Sequence, residues 1–327
     1  MPHFPVLNLF YREPDPDRWL PFDRYPRRII RRLVRGSIIG GQTRVFLNLI
    51  KGLDQIGVKY RVNNYSYLAG APREIACIVG KPFLLRERQW RNPIVFGAAT
   101  FSHPIEWPNL LKEFDIRKIL VPGPWMKQMW TPDFGDLVVS WPTGIDTKLW
   151  APAADDGKEF DVLLYNKIRW DQKQKEEKLV NPIKRFLKEQ GRSFVEIRYG
   201  YYREEEFHCA LKQCRSMIFL CEHETQGIAY QQALSSDVPI MAWDRQGYWK
   251  DPNFYPQKVK FSPVSSVPYW SEQCGIRFGN LSHFHLLWQE FWKGVESERF
   301  SPRLYILENL TLEKCAFDYA NIVRSIF

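Results

Sequence analysis

Short apolar runs alternate with amphipathic stretches along most of the 327-residue chain. In the first half VLNLF, VKYRV, IACIV, IVFGAA, IRKILV and LVVSW each read as a strand. Between the first two, VFLNLIKGLDQI places Val45, Phe46, Leu49, Ile50, Leu53 and Ile56 on one helical face, with Gly57 where a C-cap belongs. In the second half DVLLY, FVEIRY, SMIFLC and VPIMAW read as strands, separated by the helical stretches KLVNPIKRFLKEQG, EEEFHCALKQC and GIAYQQALSS. Strands apolar along their whole length, alternating with helices, predict parallel sheets covered on both faces. No repeat of solenoid length and no low-complexity tract interrupts the pattern.

A break falls at WPTGIDTKLWAPAADDGKEFD, where a turn-forming TGID is followed by proline, alanine and charge before a strand begins at Phe160. The expected organisation is α/β: a Rossmann-like domain over 1–152, a second over 153–308, and a C-terminal helix within 309–327 that crosses back to the first.

Composition narrows the class. Apolar content of 45% with 25% charge is globular and excludes a disordered chain. A net charge of +9 suits an acidic ligand, a nucleic acid or an anionic membrane face without separating them. The six cysteines form no CxxC pair and no zinc spacing, and the start carries no basic-plus-apolar signal segment. A reduced, cytoplasmic protein is the expectation. No RNA-recognition signature accompanies the charge, so nucleic acid is not an expected partner.

The stretch ETQGIAYQQALSSDVPIMAWD carries the candidate chemistry. It follows the strand SMIFLC, and in an open parallel sheet ligands bind beyond the carboxyl ends of strands. Gly227 lets backbone approach a ligand, and the helix it opens offers unpaired N–H groups, a seat for phosphate. Gln226 stands at the same junction. Glu224 does not favour phosphate; a carboxylate there accepts hydrogen bonds from sugar diols. Phosphate beside sugar describes a nucleotide-sugar. A capping carboxylate and a turn glycine would produce the same spacing.

That stretch resembles the acidic motif of retaining GT-B glycosyltransferases of family four: Glu, seven residues, Glu, with a glycine three after the first Glu, alanine after the second and a Gly-x-Pro close. Glu224, Gly227, Ala233 and Pro239 match; Gln232 replaces the second Glu and Asp237 the glycine. IIGGQTRVFLNLIKGLDQIGVKYRV is similar to the family's first glycine loop and helix, PTGIDTKLWAP to its interdomain segment, and YGYYREEEFHCALKQCRSMIFLCE to the stretch leading into the acidic motif. The resemblance implies two Rossmann-like domains facing a cleft, transfer from a nucleotide-diphosphate sugar without metal or other cofactor, and a place in polysaccharide biosynthesis. The acceptor is a glycan, a lipid-linked sugar or a small molecule.

Carried over residue by residue, the resemblance gives Glu224 the donor sugar's hydroxyls and Gln232 the ribose diol, where an amide both donates and accepts. Family members place an Arg and a Lys after the second domain's first strand. YNKIRWDQKQK offers Lys167, Arg169 and Lys173 there for the diphosphate, with Lys167 and Lys173 foremost. Gly40 and Gly41 permit an amide nest for phosphate or acceptor, or simply a tight turn. His103, in FGAATFSHPIEWP, is either a residue of the reacting centre or a structural loop histidine. DPD at 15–17 reads as a turn, not a metal motif. The arginine-rich RYPRRIIRRLVRG, over 24–35, suits peripheral contact with the inner face of a membrane or a solvated insertion. A catalytically silent relative that binds nucleotide-sugar or glycan is the alternative, supported by Gln232.

Overall fold

The computed structural model of the protein describes residues 4–13, 40–98, 100–153 and 158–327. DPD at 15–17 and the basic segment 24–35 lie outside the described residues. The chain divides into two compact units: residues 1–122, 130–144 and 315–327 form one, and Gly123–Met129 with Ile145–Lys314 form the other.

The first unit holds six strands, β1 (Leu7–Phe10), β2 (Tyr60–Val62), β3 (Ala76–Ile78), β4 (Ile94–Phe96), β5 (Ile116–Val121) and β6 (Val138–Ser140), in the order β2-β1-β3-β4-β5-β6. Every pairing is parallel. Each strand matches one of the six apolar runs, and β1, β3 and β4 are buried at every position. The helix Gly41–Gln55 turns Val45, Phe46, Leu49 and Leu53 inward. Gly57, at φ 69°, supplies the left-handed turn that redirects the chain into β2. The C-terminal segment packs in this unit: Trp141 donates its indole N–H to the Cys315 carbonyl at 2.8 Å and meets Tyr319 edge-on.

The second unit holds β7 (Phe160–Asn166), β8 (Phe194–Arg198), β9 (Cys214–Leu220), β10 (Ile240–Trp243) and β11 (Gly275–Phe278), in the order β11-β10-β9-β7-β8, again all parallel. Val162, Leu164, Ile218, Leu220 and Met241 point into a core closed by Leu179, Ile183, Leu187, Phe284, Trp288 and Trp292 from the covering helices. β11 is absent from the sequence reading. Its GIRF sequence is short, and Arg277 stands exposed in its middle, so no apolar run announces it.

Strand order fixes where ligands can enter. β7 lies between β8 and β9, so the chain leaves its carboxyl end in one direction after β7 and in the other after β9. Such a divergence is the usual ligand position in an open α/β sheet. The corresponding point in the first sheet lies between β1 and β3.

Candidate functional site

At the β7/β9 divergence the residue following β7 is Lys167, and Cys221, Glu222, His223 and Glu224 follow β9. The Lys167 ammonium donates directly to the Glu224 carboxylate. Both residues are under one tenth exposed. Burial opposes charge on each, but each offsets it for the other. Glu224 is held below the ordinary carboxylate range by Lys167 and by Arg169. Lys167 is held above the ordinary lysine range by Glu224. The pair is therefore ionised at neutral pH. Cys221 lends Glu224 a weak Sγ–H donor at 3.4 Å, and burial raises its thiol far enough to keep that proton.

Arg169 is exposed, with its guanidinium 5.7 Å from the Tyr199 ring centre, and the Lys167 ammonium sits 4.3 Å from the same ring. Tyr199 follows β8, so three strand ends contribute to one cationic, aromatic corner. Partial desolvation works against the Arg169 charge, and Glu224 together with Cys221, Tyr199 and Glu222 outweighs it, holding Arg169 above its ordinary value. Lys173 lies elsewhere: it is exposed on the short helix Gln172–Lys175 and has no partner among the described residues.

The sequence reading passed over Glu222, which is fully buried. Its carboxylate accepts from the Arg169 amide at 3.1 Å, the Trp170 amide at 3.2 Å and the Lys175 ammonium at 2.8 Å. Lys175 also donates to the Trp170 carbonyl at 2.7 Å. One acid and one lysine thus hold both sides of the peptide that carries Arg169. The signal available in the sequence was the acidic pair Glu222-x-Glu224 just past the end of β9.

The Glu224 loop is braced from three directions. Its amide donates to the Ser265 carbonyl at 2.9 Å. Ser265 and Ser266 are held in turn by Asp244, which accepts from the Ser265 hydroxyl and the Ser266 amide at 3.0 Å each. Asp244 is thus a strut for this loop. Trp125 donates its indole N–H to the Glu224 carbonyl at 2.7 Å. Gly123 makes room for that approach, since a Cβ there would sit 2.5 Å from the Thr225 carbonyl oxygen. His223 is wedged between the rings of Trp125 and Trp170, and burial lowers it to about 4, so it is neutral.

Gly227 opens the helix Ile228–Ser235 at φ 77° and ψ 38°, a left-handed conformation that only glycine adopts without strain. A Cβ would also lie 2.0 Å from the Tyr230 ring, which is pinned through its hydroxyl to the Tyr269 backbone. Gln226 turns inward: Gln231 donates to its carbonyl at 2.8 Å, and the two side-chain amides meet at 3.4 Å. Gln232 is different. It is only 7% exposed, yet its side-chain amide makes no hydrogen bond among the described residues. Its amide atoms are not among the sealed, unsatisfied polar atoms of the described residues, so they stay open to solvent or to a ligand.

The remaining candidates belong to the first unit. His103 caps the turn Pro104–Glu106: its Nδ1 accepts from the Ile105 amide at 3.2 Å, while Glu106 reaches back to the Ser102 and His103 amides. Gly40 and Gly41 begin the helix Gly41–Gln55. Thr43, in that helix's first turn, donates to Glu13 at 3.0 Å, and Glu13 also accepts from Tyr11 and from Lys81. Tyr11 and Glu13 follow β1 and Lys81 follows β3, so this polar group marks the divergence point of the first sheet. A carboxylate thus lies against the start of this helix.

Among the described residues no group of three or more His, Cys, Asp or Glu could hold a metal ion, and no helix is long and apolar enough to cross a membrane.

No protein-family model matches the sequence, and no curated protein matches it. Solved structures match over the length of the chain. A sucrose-phosphate synthase from Thermosynechococcus elongatus superposes at TM-score 0.53 and 12% identity, covering 98% of this chain and 88% of its own. The lipopolysaccharide outer core galactosyltransferase WaaB, in its apo form, gives TM-score 0.53 and 10% identity over 98% of this chain and 99% of its own. A TarM variant from S. aureus, in complex with fondaparinux, α-GlcNAc-glycerol and UDP, gives TM-score 0.52 and 13% identity over 79% and 57%. At such identities the likeness is one of fold: two parallel sheets with helices, the GT-B glycosyltransferase architecture.

Proposed function

We propose that the chain is a glycosyltransferase that takes a nucleotide-diphosphate sugar as donor and binds it on its second unit. The observation that carries this reading is the convergence, at one β7/β9 divergence, of an ionised Glu224–Lys167 pair, an exposed Arg169, a glycine-opened helix and an unmatched Gln232 amide. Glu224, kept ionised by Lys167, accepts hydrogen bonds from the donor sugar's hydroxyls. Arg169 and the shared Lys167 charge meet the diphosphate together with the amides at Gly227 and Ile228. Gln232 takes the ribose diol, donating to one hydroxyl and accepting from the other.

Transfer proceeds with retention. The bond from the anomeric carbon to phosphate oxygen breaks while the bond to the acceptor hydroxyl oxygen forms on the same face. The hydroxyl proton passes to the departing phosphate, so no protein nucleophile is needed. Arg169 and Lys167 supply the charge that a metal would otherwise give the leaving group. The Tyr11–Glu13–Thr43–Lys81 group of the first unit offers hydroxyl and carboxylate contacts suited to a polyol acceptor. Contact with a membrane through residues 24–35 belongs to this reading as a means of reaching a lipid-linked acceptor.

Donor hydrolysis in the absence of acceptor tests the enzyme against a silent binder. An enzyme releases free sugar slowly from one nucleotide-sugar, with the anomeric configuration of the donor when the product is caught early by NMR, and Glu224→Gln abolishes the release. Binding without release from any donor would make the chain a nucleotide-sugar-binding protein.

A further inference from the structure

The first unit carries a basic pocket that the glycosyltransferase reading does not use. It has a volume of about 780 Å³ and is lined by Arg86, Arg88, Trp90, Arg91, Glu113 and Phe114 among others. Arg88–Arg91 lead into β4, and Glu113 and Phe114 lead into β5. The pocket thus lies toward the edge where these strands begin, whereas His103 follows the end of β4.

Two of its arginines are held by aromatic faces. The Arg86 guanidinium lies 4.1 Å from the Trp107 ring centre, and that of Arg88 lies 4.3 Å from Tyr65 and 5.8 Å from Trp90. The rings themselves are anchored. Trp107 is buried and packs edge-on against Phe114; Trp90 packs on Phe10 and donates its indole N–H to the Leu84 carbonyl at 3.2 Å. A stacked guanidinium keeps its N–H edge free for an anion and has already lost much of its rotational freedom.

Among the described residues no carboxylate pairs with Arg86, Arg88 or Arg91. Glu87, the acid within this run, is taken by Arg12. Three cations therefore share one concavity with a single lining carboxylate, Glu113. Lys167, Lys175 and Lys184, by contrast, each meet an acid. The volume falls in the range of small-molecule sites. Planar forks fixed on rings match phosphate oxygens two at a time.

We propose that this pocket binds the phosphate groups of a small, soluble phosphorylated compound, at a site separate from the donor seat of the second unit. The test is calorimetric titration of the full chain with inorganic tripolyphosphate, comparing wild type with Arg86→Gln/Arg88→Gln/Arg91→Gln. Circular dichroism checks that the variant folds. The donor seat contributes equally to both proteins, so the difference reports the pocket. Affinity falling at least tenfold in the variant supports the site; unchanged affinity overturns it. Arg88→Lys/Arg91→Lys, which keeps charge but loses the fork, provides a second reading if the triple variant unfolds: weakening of several-fold supports the site, and wild-type affinity contradicts it. Sedimentation with phosphatidylglycerol vesicles addresses the source. Arginine-dependent sedimentation, with tripolyphosphate binding unaffected by the arginines, would overturn a soluble ligand.

Discussion

Lys167 and Glu224 stand 57 residues apart in sequence and form one buried ion pair, because β7 and β9 lie side by side, Lys167 directly follows β7 and Glu224 lies in the short loop after β9. Removing either partner strands the other charge in a site with little access to water. Lys167→Met or Glu224→Gln is each expected to cost about 3–5 kcal/mol of stability. The double variant should lose clearly less than the sum of the two. Chemical denaturation of the four proteins completes the cycle.

The same pair sets a pH window. Glu224 is depressed, so its contribution is present above the unfolded carboxylate value and is lost as pH falls through its lower folded value. Lys167 is raised, so its contribution is present below the unfolded lysine value and is lost as pH rises through its higher folded value. Between about pH 5 and pH 10 this contribution should be flat. Melting curves of wild type and Lys167→Met/Glu224→Gln should run parallel within that window and converge outside it.

His223 adds an acid limb of its own. Burial lowers it to about 4, so the unfolded chain takes up its proton first. Stability is complete above the unfolded value near 6.5 and declines as pH falls from there to about 4, by up to ~3 kcal/mol. Urea unfolding of His223→Gln should show a shallower loss between pH 6.5 and 4 than wild type does.

Glu222 holds the Arg169–Trp170 peptide and touches no reacting group, so it acts through Arg169. Glu222→Gln keeps the shape but weakens the grip on Lys175 and the two amides. The KM for donor is expected to rise about tenfold, equivalent to ~1.4 kcal/mol, with kcat changing less. A role confined to folding would lower the melting temperature and leave KM unaltered. Arg169→Gln should reproduce the KM effect without the loss of stability.

Gly227 and Gly57 separate two costs of adding a methyl group. Both have positive φ, but a Cβ at Gly57 meets open space, while at Gly227 it meets the Tyr230 ring. Gly57→Ala should cost about 1 kcal/mol, from backbone conformation alone. Gly227→Ala should cost more and weaken donor binding as well, since Tyr230 or the helix start must shift. Thermal unfolding with and without donor measures both effects.

The α/β architecture was legible because buried parallel strands are apolar along their length: six runs in the first half and four in the second each correspond to a strand. β11 escaped because an edge strand with Arg277 in its centre has no such run. The acidic motif pointed to Glu224 and Gly227, whose neighbourhood is local in sequence. Pairings between strand ends were not legible. Nothing in YNKIRWDQKQK indicates that Lys167 faces Glu224, that Lys175 faces Glu222, or that Lys173 faces solvent. Those directions depend on the left-handed turn at Asp171, φ 52°, and on which strands are neighbours. The capping bond that His103 makes to the Ile105 amide was likewise not legible, because it depends on the backbone path through Pro104–Glu106.

The central claim is that the β7/β9 corner holds a nucleoside diphosphate, and ligand-dependent melting tests it most directly. Full-length protein is unfolded thermally in the presence of UDP, GDP or ADP at about 100 times the dissociation constant of the tightest binder. One of them should stabilise the fold by ~2.7 kcal/mol, or about 5 °C or more, and Arg169→Gln should remove most of that shift. Melting temperatures that stay level with all three nucleotides and their sugar conjugates, or a shift that Arg169→Gln leaves intact, would contradict the account.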